Sequence, residues 1–594
     1  MALLLLAAPS PAQAQDLQDY DYVTNADGAT ITITGYSGPG GVAAIPAAIN
    51  GLPVTGIGED AFFEAGVSSV TIPGSVTSIG EEAFYGCTNL ASLTVQDGVT
   101  NIGLLAFFGC TSLASLTLPG SVTSFGEVAF GDCYGLTNVY FIGNAPAADS
   151  TVFAYDKATV YYLPGATGWS NTFGGIQARA LQSPYGFTVN AGETLAITSY
   201  TGPGGTVSIP ASLIGLPVTG IADDAFLGDA SLTNVIIPGS VTNIGEEAFG
   251  FCSSLASVTI PGSVTSIGDY AFWNCGSLTN ATMAGGVASI GADAFSKCGL
   301  TSVTIPASVT NLGSLAFAYC SGLAGANIPG GVTRIGDAPF LGCAGLALMT
   351  VDSHNLFYSS TNGVLFDATQ STLIEFPGGL GGSYTIPGTV TNIGADAFYA
   401  CAGLTGITIP GSVTCIGNEA FGFCTSLAGV RIPPSVSSIC AQAFYCCTNL
   451  ASIAIPGPVA SIGDEAFAFC ASVTGVYFQG GAPAVDATVF SCDTNATVYY
   501  LPGAAGWSNT FAGHPAVLWN PLIQTGGGFG VSGNQFGFNI AGTSNIVIVV
   551  EASTNLARPV WTRLQTNTLL NGSCRFSEPL QTNSPGRYYR LSSP

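Results

Sequence analysis

The chain has 594 residues, 47% of them hydrophobic and only 7% charged, with 80 glycines. Such a composition excludes a disordered chain, which needs high charge and few apolar residues. The net charge of −24, from 34 acidic against 10 basic residues, excludes a nucleic-acid partner, which is held by Lys and Arg on its phosphates.

In chain order, Met1 to Ala8 form a short apolar run, followed by Ala12-Gln13-Ala14. This pattern reads as a signal peptide over residues 1–14, cut after Ala14. No later apolar run approaches the roughly 20 residues of a membrane-spanning helix. The longest candidate, Ile546 to Val550, is strand-sized.

A repeat dominates the body of the chain. An Ala-Phe pair places Phe62, Phe84, Phe107 and Phe130, then Phe226, Phe249, Phe272, Phe295, Phe317 and Phe340, then Phe398, Phe421, Phe444 and Phe467. Steps of 22 or 23 residues predict a solenoid of the leucine-rich-repeat type, with a short strand and a short helical turn in each unit. In the unit from Leu255 to Cys275, alternation puts Leu255, Val258 and Ile260 inward and Ser257 and Thr259 outward. Pro261-Gly262 turns the chain, and Val264 and Ile267 come next on the inward side. Asp269 to Cys275 reads as the helical turn, packing Ala271, Phe272 and Cys275. One unit cannot bury its own apolar face, so the array folds as a stack.

Larger duplications divide the chain. GPGG at 38–41 and 202–205, with GLPVTGI at 51–57 and 215–221, read as two N-terminal caps. VYF at 139–141 and 476–478, VYYLPG at 160–165 and 498–503, and then Trp169 and Trp507, read as two closing caps. The expected domains are a first capped array over 15–180 and a second over 181–519. The second carries a variant repeat at about 341–397, where Phe357 to Phe366 reads as a hairpin turning at Asn362-Gly363 and Thr372 to Phe376 as another strand. Residues 526–594 read as a small all-β, sandwich-like module behind the tether Thr525 to Gly528.

The motif LxxVTIPxSVTxIGxxAFxxC of Leu255 to Cys275 resembles the BspA-like leucine-rich repeats of bacterial surface proteins, over roughly residues 45–480. The resemblance implies a secreted or cell-surface location, binding to extracellular proteins or to other cells, and no shared catalytic residues. The C-terminal segment is similar to short terminal modules of large secreted bacterial proteins.

Candidate sites are set by the repeat register. Twelve of the 17 Cys lie three residues after a repeat Phe, which predicts a buried ladder of free thiols. Cys415, Cys440 and Cys446, in two adjacent repeats, leave room for one local disulfide; Cys492 and Cys574 also lie off the ladder. With no Cys-x-x-Cys pair, a structural zinc site is not expected. Acidic pairs precede many Ala-Phe steps, as at Glu59-Asp60, Glu81-Glu82, Asp223-Asp224, Glu246-Glu247 and Asp464-Glu465. They suit a helical first turn; a calcium ladder is the alternative, although six to eight oxygens rarely converge from such pairs. No metal or cofactor is expected. The outward strand positions Thr94, Thr117, Thr259, Thr282, Thr304 and Thr408, with Arg431, are the candidate ligand-binding residues. They form a weakly charged hydroxyl face suited to glycans or extended protein segments. Tyr140, Ile236, Asn327 and Arg431 interrupt the Thr column, against a regular ice-binding array.

The two histidines, His354 and His514, and the absence of GxSxG, HExxH and Walker motifs argue against an enzyme. The expected function is binding or adhesion to an extracellular protein or glycan. A self-associating surface-layer protein is the alternative, and a carbohydrate-active enzyme comes behind both. From Gly526 onward five Arg face two Glu, so this mildly basic module is a candidate contact to the cell envelope.

Overall fold

The structure, a computed structural model, describes residues 17–192, 194–580 and 586–593. The expected signal peptide at 1–14 lies outside them. The described residues fall into two compact units, residues 1–202 with 210–221, and residues 203–209 with 222–594.

A typical repeat contributes two parallel strands. The longer one is typified by Ser257–Ile260, which pairs with Asn280–Met283 of the next repeat, Thr259 facing Thr282. The shorter one, Ser266–Ile267, pairs with Ser289–Ile290. The repeats of each unit therefore build a β-solenoid whose longer and shorter strands pair from turn to turn along two sides. Within the repeat from Leu255, all eight residues expected inward are buried: Leu255, Val258, Ile260, Val264, Ile267, Ala271, Phe272 and Cys275. The repeat Phe rings stack down the core, Phe249 to Phe272 at 5.1 Å and Phe272 to Phe295 at 5.0 Å, nearly parallel.

The helical turn does not form. Helical segments among the described residues are two three-residue 3₁₀ turns at Leu17–Asp19 and Leu570–Gly572. In Asp269 to Cys275, Tyr270 and Asn274 take positive φ, 56° and 57°. Alternate N–H groups leave the segment: Tyr270 donates to Ala292 O, Phe272 to Ala294 O and Asn274 to Ser296 O of the next repeat, at 2.7–2.9 Å. The donors a helix would spend on its own carbonyls are spent between turns of the solenoid. The helix-dipole account of the acidic pairs falls with it. The second member of each pair instead takes a left-handed conformation, as at Asp60, Glu82, Asp224, Glu247 and Glu465. The first member can bridge to the next turn: Asp223 accepts the Glu246 N–H at 2.8 Å.

Twelve ladder cysteines are free and buried. Every one donates its thiol to the carbonyl of the Phe one turn back, as Cys275 does to Phe249 O at 3.1 Å and Cys87 to Phe62 O at 3.1 Å. Burial pushes the Cys87 thiol up to about 11 and that of Cys320 to about 12. Both closing repeats put a carboxylate at this position, Asp156 and Asp493, and burial raises each to about 7.

Antiparallel hairpins open the two capped regions, Tyr20–Thr24 with Ile31–Tyr36 and Tyr185–Asn190 with Thr194–Tyr200. Each closing segment has its own aromatic cluster of the same kind: Trp169 stacks on Tyr162 at 4.8 Å, and Trp507 on Tyr500 at 5.0 Å. The variant repeat contains the expected hairpin, Tyr358–Thr361 with Val364–Asp367, turning through Asn362 (φ 52°) and Gly363 (φ 84°). Its next strand, Thr372–Glu375, returns to the parallel ladder beside Asn392–Ile393. In regular repeats the Phe N–H goes to a backbone carbonyl of the next turn, as from Phe272 to Ala294 O. The buried Glu375 carboxylate receives the Phe340 N–H instead, at 3.1 and 3.2 Å.

The C-terminal module is two antiparallel sheets around Phe538, Ile540, Ile546, Ile548, Val550, Leu569 and Phe576. Its first strand is Leu522–Gln524, paired with Gln535–Ala541, so the glycines 526–528 form a turn between strands and not a tether ahead of them. Trp519 joins the module to the closing cap: its indole N–H donates to Val547 O at 3.2 Å, and its ring packs edge-on against Tyr477 at 6.3 Å.

Candidate binding surface

The longer strands alternate inward apolar and outward residues, and their parallel register stacks the outward ones in columns about 4.8 Å apart. In the first unit one column runs Thr71, Thr94, Thr117, Tyr140, Tyr161 and Arg179. In the second, Thr259 lies beside Thr282, and Thr408 lies between Thr385 and Arg431. Thr259, Thr282, Thr304, Thr408 and Arg431 are exposed, while Thr94 and Thr117 are half-buried.

The expected residues thus form three short groups. Thr304 stands outside any strand, because residues 301–305 leave the ladder between Asn280–Met283 and Gly325–Ile328. The Thr117 hydroxyl donates to the Ile214 carbonyl and is already engaged. Tyr140 and Arg431 interrupt the Thr and stand in the same register with other chemistry.

Sequence reasoning passed over Tyr161 and Arg179. The Tyr140 and Tyr161 rings stack at 5.4 Å, and the Arg179 guanidinium lies 4.8 Å over the Tyr161 ring while donating to its hydroxyl. The signal was present in the aligned VYF and VYY segments, read there only as a cap. In the second unit the equivalent pair, Tyr477 and Tyr499, stacks at 4.8 Å. Tyr477 is buried, and Tyr499 packs against the core of the C-terminal module. Burial raises the Tyr140 hydroxyl, and Tyr161 beside it adds to the effect, so it stays a neutral donor.

No group of three His, Cys, Asp or Glu among the described residues is placed to hold a metal ion. His354 is exposed and reaches Asp352 at 2.9 Å, and His514 packs edge-on against Phe490 at 5.5 Å. Three of the five C-terminal arginines are tied within the module. Arg587 pairs with Glu578 and Arg590 with Glu551, both at 2.7 Å, and Arg575 donates to Gly528 O and Asn539. Arg558 and Arg563 are left exposed. No helix among the described residues is long and apolar enough to cross a membrane.

The chain matches the family model described as BspA type leucine-rich repeat region, in six copies over residues 55–167, 219–378 and 382–497. Among solved structures it is similar to a leucine-rich cell surface protein of Faecalibacterium prausnitzii, at 24% identity over 80% of this chain and 97% of that one, TM-score 0.32. It is also similar to leucine-rich repeat proteins of Bacteroides ovatus (24% identity, 78% and 94% covered, TM-score 0.31) and Eubacterium ventriosum (26%, 54% and 78%, TM-score 0.39). No curated protein matches it.

Proposed function

Because this chain belongs to the BspA-type leucine-rich repeat family, we propose that it is an extracellular or cell-surface binding protein. A surface and binding role fits the family, and the ligand class is read from the outward columns. The observation that carries the reading is the run Tyr140, Tyr161 and Arg179 on one face of the first unit, with Thr71 and Thr94 in the same column beyond the engaged Thr117. Hydroxyls beside stacked phenol rings and a guanidinium offer hydrogen bonds, flat apolar area and one charge-assisted donor. That combination suits a glycan or an extended protein segment, and it offers no nucleophile paired with a base.

The test is a glycan and matrix-protein array probed with the full chain, followed by titration of any hit. Tyr161→Ala should weaken binding about thirtyfold, as loss of ~2 kcal/mol at an aromatic anchor does, with the circular dichroism unchanged. Saturable binding indifferent to Thr94→Ala, Tyr161→Ala and Arg179→Ala would move the site elsewhere. Self-association without a ligand would point to a structural layer, and polymer hydrolysis to an enzyme.

A further inference from the structure

Two departures from the repeat occur in adjacent turns, and the fold brings them together. The residue before the Ile-Gly step of the shorter strand is Asn392, Ser438 or Ser461 in nearby repeats, and Cys415 in one. The Gly of that step is Gly417 and Gly463 on either side, and Cys440 between them. Glycine is favoured there for a steric reason. A Cβ on Gly417 would meet the Ala395 nitrogen at 2.7 Å, and one on Gly463 would meet the Ala441 nitrogen at 2.4 Å. Cys440 carries a Cβ at this crowded position.

The strands Cys415–Ile416 and Ser438–Ile439 are parallel neighbours, with Cys415 opposite Ser438. Cys440 comes two residues further along, on the same side of the strand as Cys415, and its sulfur lies 3.9 Å from that of Cys415. Both residues are half-buried, within reach of a small reagent, unlike the twelve ladder thiols. A disulfide needs sulfurs about 2.05 Å apart, so closing the 3.9 Å gap asks the two partly exposed side chains to turn toward each other.

We propose that Cys415 and Cys440 form a disulfide that staples two neighbouring repeats under oxidising conditions. The co-reactant is a small-molecule disulfide of the glutathione class. The thiolate of one cysteine attacks it, forming a mixed disulfide and releasing one thiol. The second cysteine attacks the protein sulfur of that mixed disulfide and releases the other thiol. Two protein thiols are oxidised, the reagent disulfide is reduced to two thiols, and two hydrogens pass to it.

The test is to incubate the folded full chain with oxidised glutathione, block residual thiols, and map peptides by mass spectrometry. The expected product joins the Cys415 and Cys440 peptides, lighter by two hydrogens than their sum, and is cleaved by dithiothreitol. Oxidation should also raise the melting temperature of the natural chain and leave that of Cys440→Gly, which restores the repeat glycine, unchanged. The proposal fails if both cysteines are recovered alkylated or separately glutathionylated, or if either is joined to another cysteine.

Discussion

Truncation of one core ring tests the stacked architecture most directly. Phe272 is fully buried and is clasped by Phe249 and Phe295, with ring centroids 5.1 and 5.0 Å away and planes within 6° and 5°. Phe272→Ala removes a whole buried ring, which costs ~3–5 kcal/mol in well-packed cores. Two aromatic contacts, each worth ~0.5–1.5 kcal/mol beyond area, are lost within that figure and place the change near its upper end. The backbone bonds of Phe272 to Ala294, and of the Cys298 thiol to Phe272, are untouched, so the loss is one of packing. Urea unfolding of the full chain should register the destabilisation. Hydrogen exchange should show lost protection in the flanking repeats as well, because each unit is stabilised by its neighbours. A destabilisation under ~2 kcal/mol, or faster exchange confined to residues 269–275, would refute the continuous-core reasoning.

Thiol labelling of the native, reduced chain should reach few of the 17 cysteines, and denaturation without reductant should release the twelve of the ladder; a ladder that stays unreactive after unfolding would be cross-linked. Gly268→Ala should destabilise through contact alone, since its Cβ would fall 2.6 Å from the Gly245 carbonyl carbon and 2.7 Å from the Glu246 nitrogen; unchanged stability would mean the turns are spaced more loosely than described. Glu375 is raised from 4.5 to about 8, first by burial and then by Asp396. A folded-state value above the unfolded one means stability is full below about pH 4.5 and is lost as pH climbs through 8, by on the order of 5 kcal/mol at most. Glu375→Gln keeps an acceptor for the Phe340 N–H and should remove that part of the pH dependence; an unchanged profile in urea melts at about pH 5 to 9 would assign the slope to other groups. Envelope fragments should retain the full chain only weakly and release it with salt, because Arg575, Arg587 and Arg590 are already engaged within the module; salt-resistant cosedimentation would require contacts other than charge.

Much of the fold was legible in the amino-acid order. Spacing of the Ala-Phe pairs and alternation around Val258 set the repeat and its inward residues, and Asn362-Gly363 marked the hairpin. These signals are local, and a solenoid uses the same local solution in every turn. The conformation of Asp269 to Cys275 was not legible. Inward residues at 271, 272 and 275 fit a helical face, but the N–H groups of Tyr270, Phe272 and Asn274 found acceptors some 22 residues ahead in the chain. A pattern of side chains does not reveal where backbone donors go once a neighbouring turn competes for them.

The candidate surface divides in the same way. Sequence alone determined that Thr94, Thr259, Thr282 and Thr408 point outward, because strand alternation leaves no other choice. Tertiary structure decided which of them stand together. It took Thr304 out of the ladder, turned the Thr117 hydroxyl to Ile214, extended one column through Tyr161 to Arg179, and set Cys440 against Cys415. Each of these depends on the register between turns, which is fixed by the hydrogen bonds and close contacts of residues a full repeat apart and is carried by no single segment.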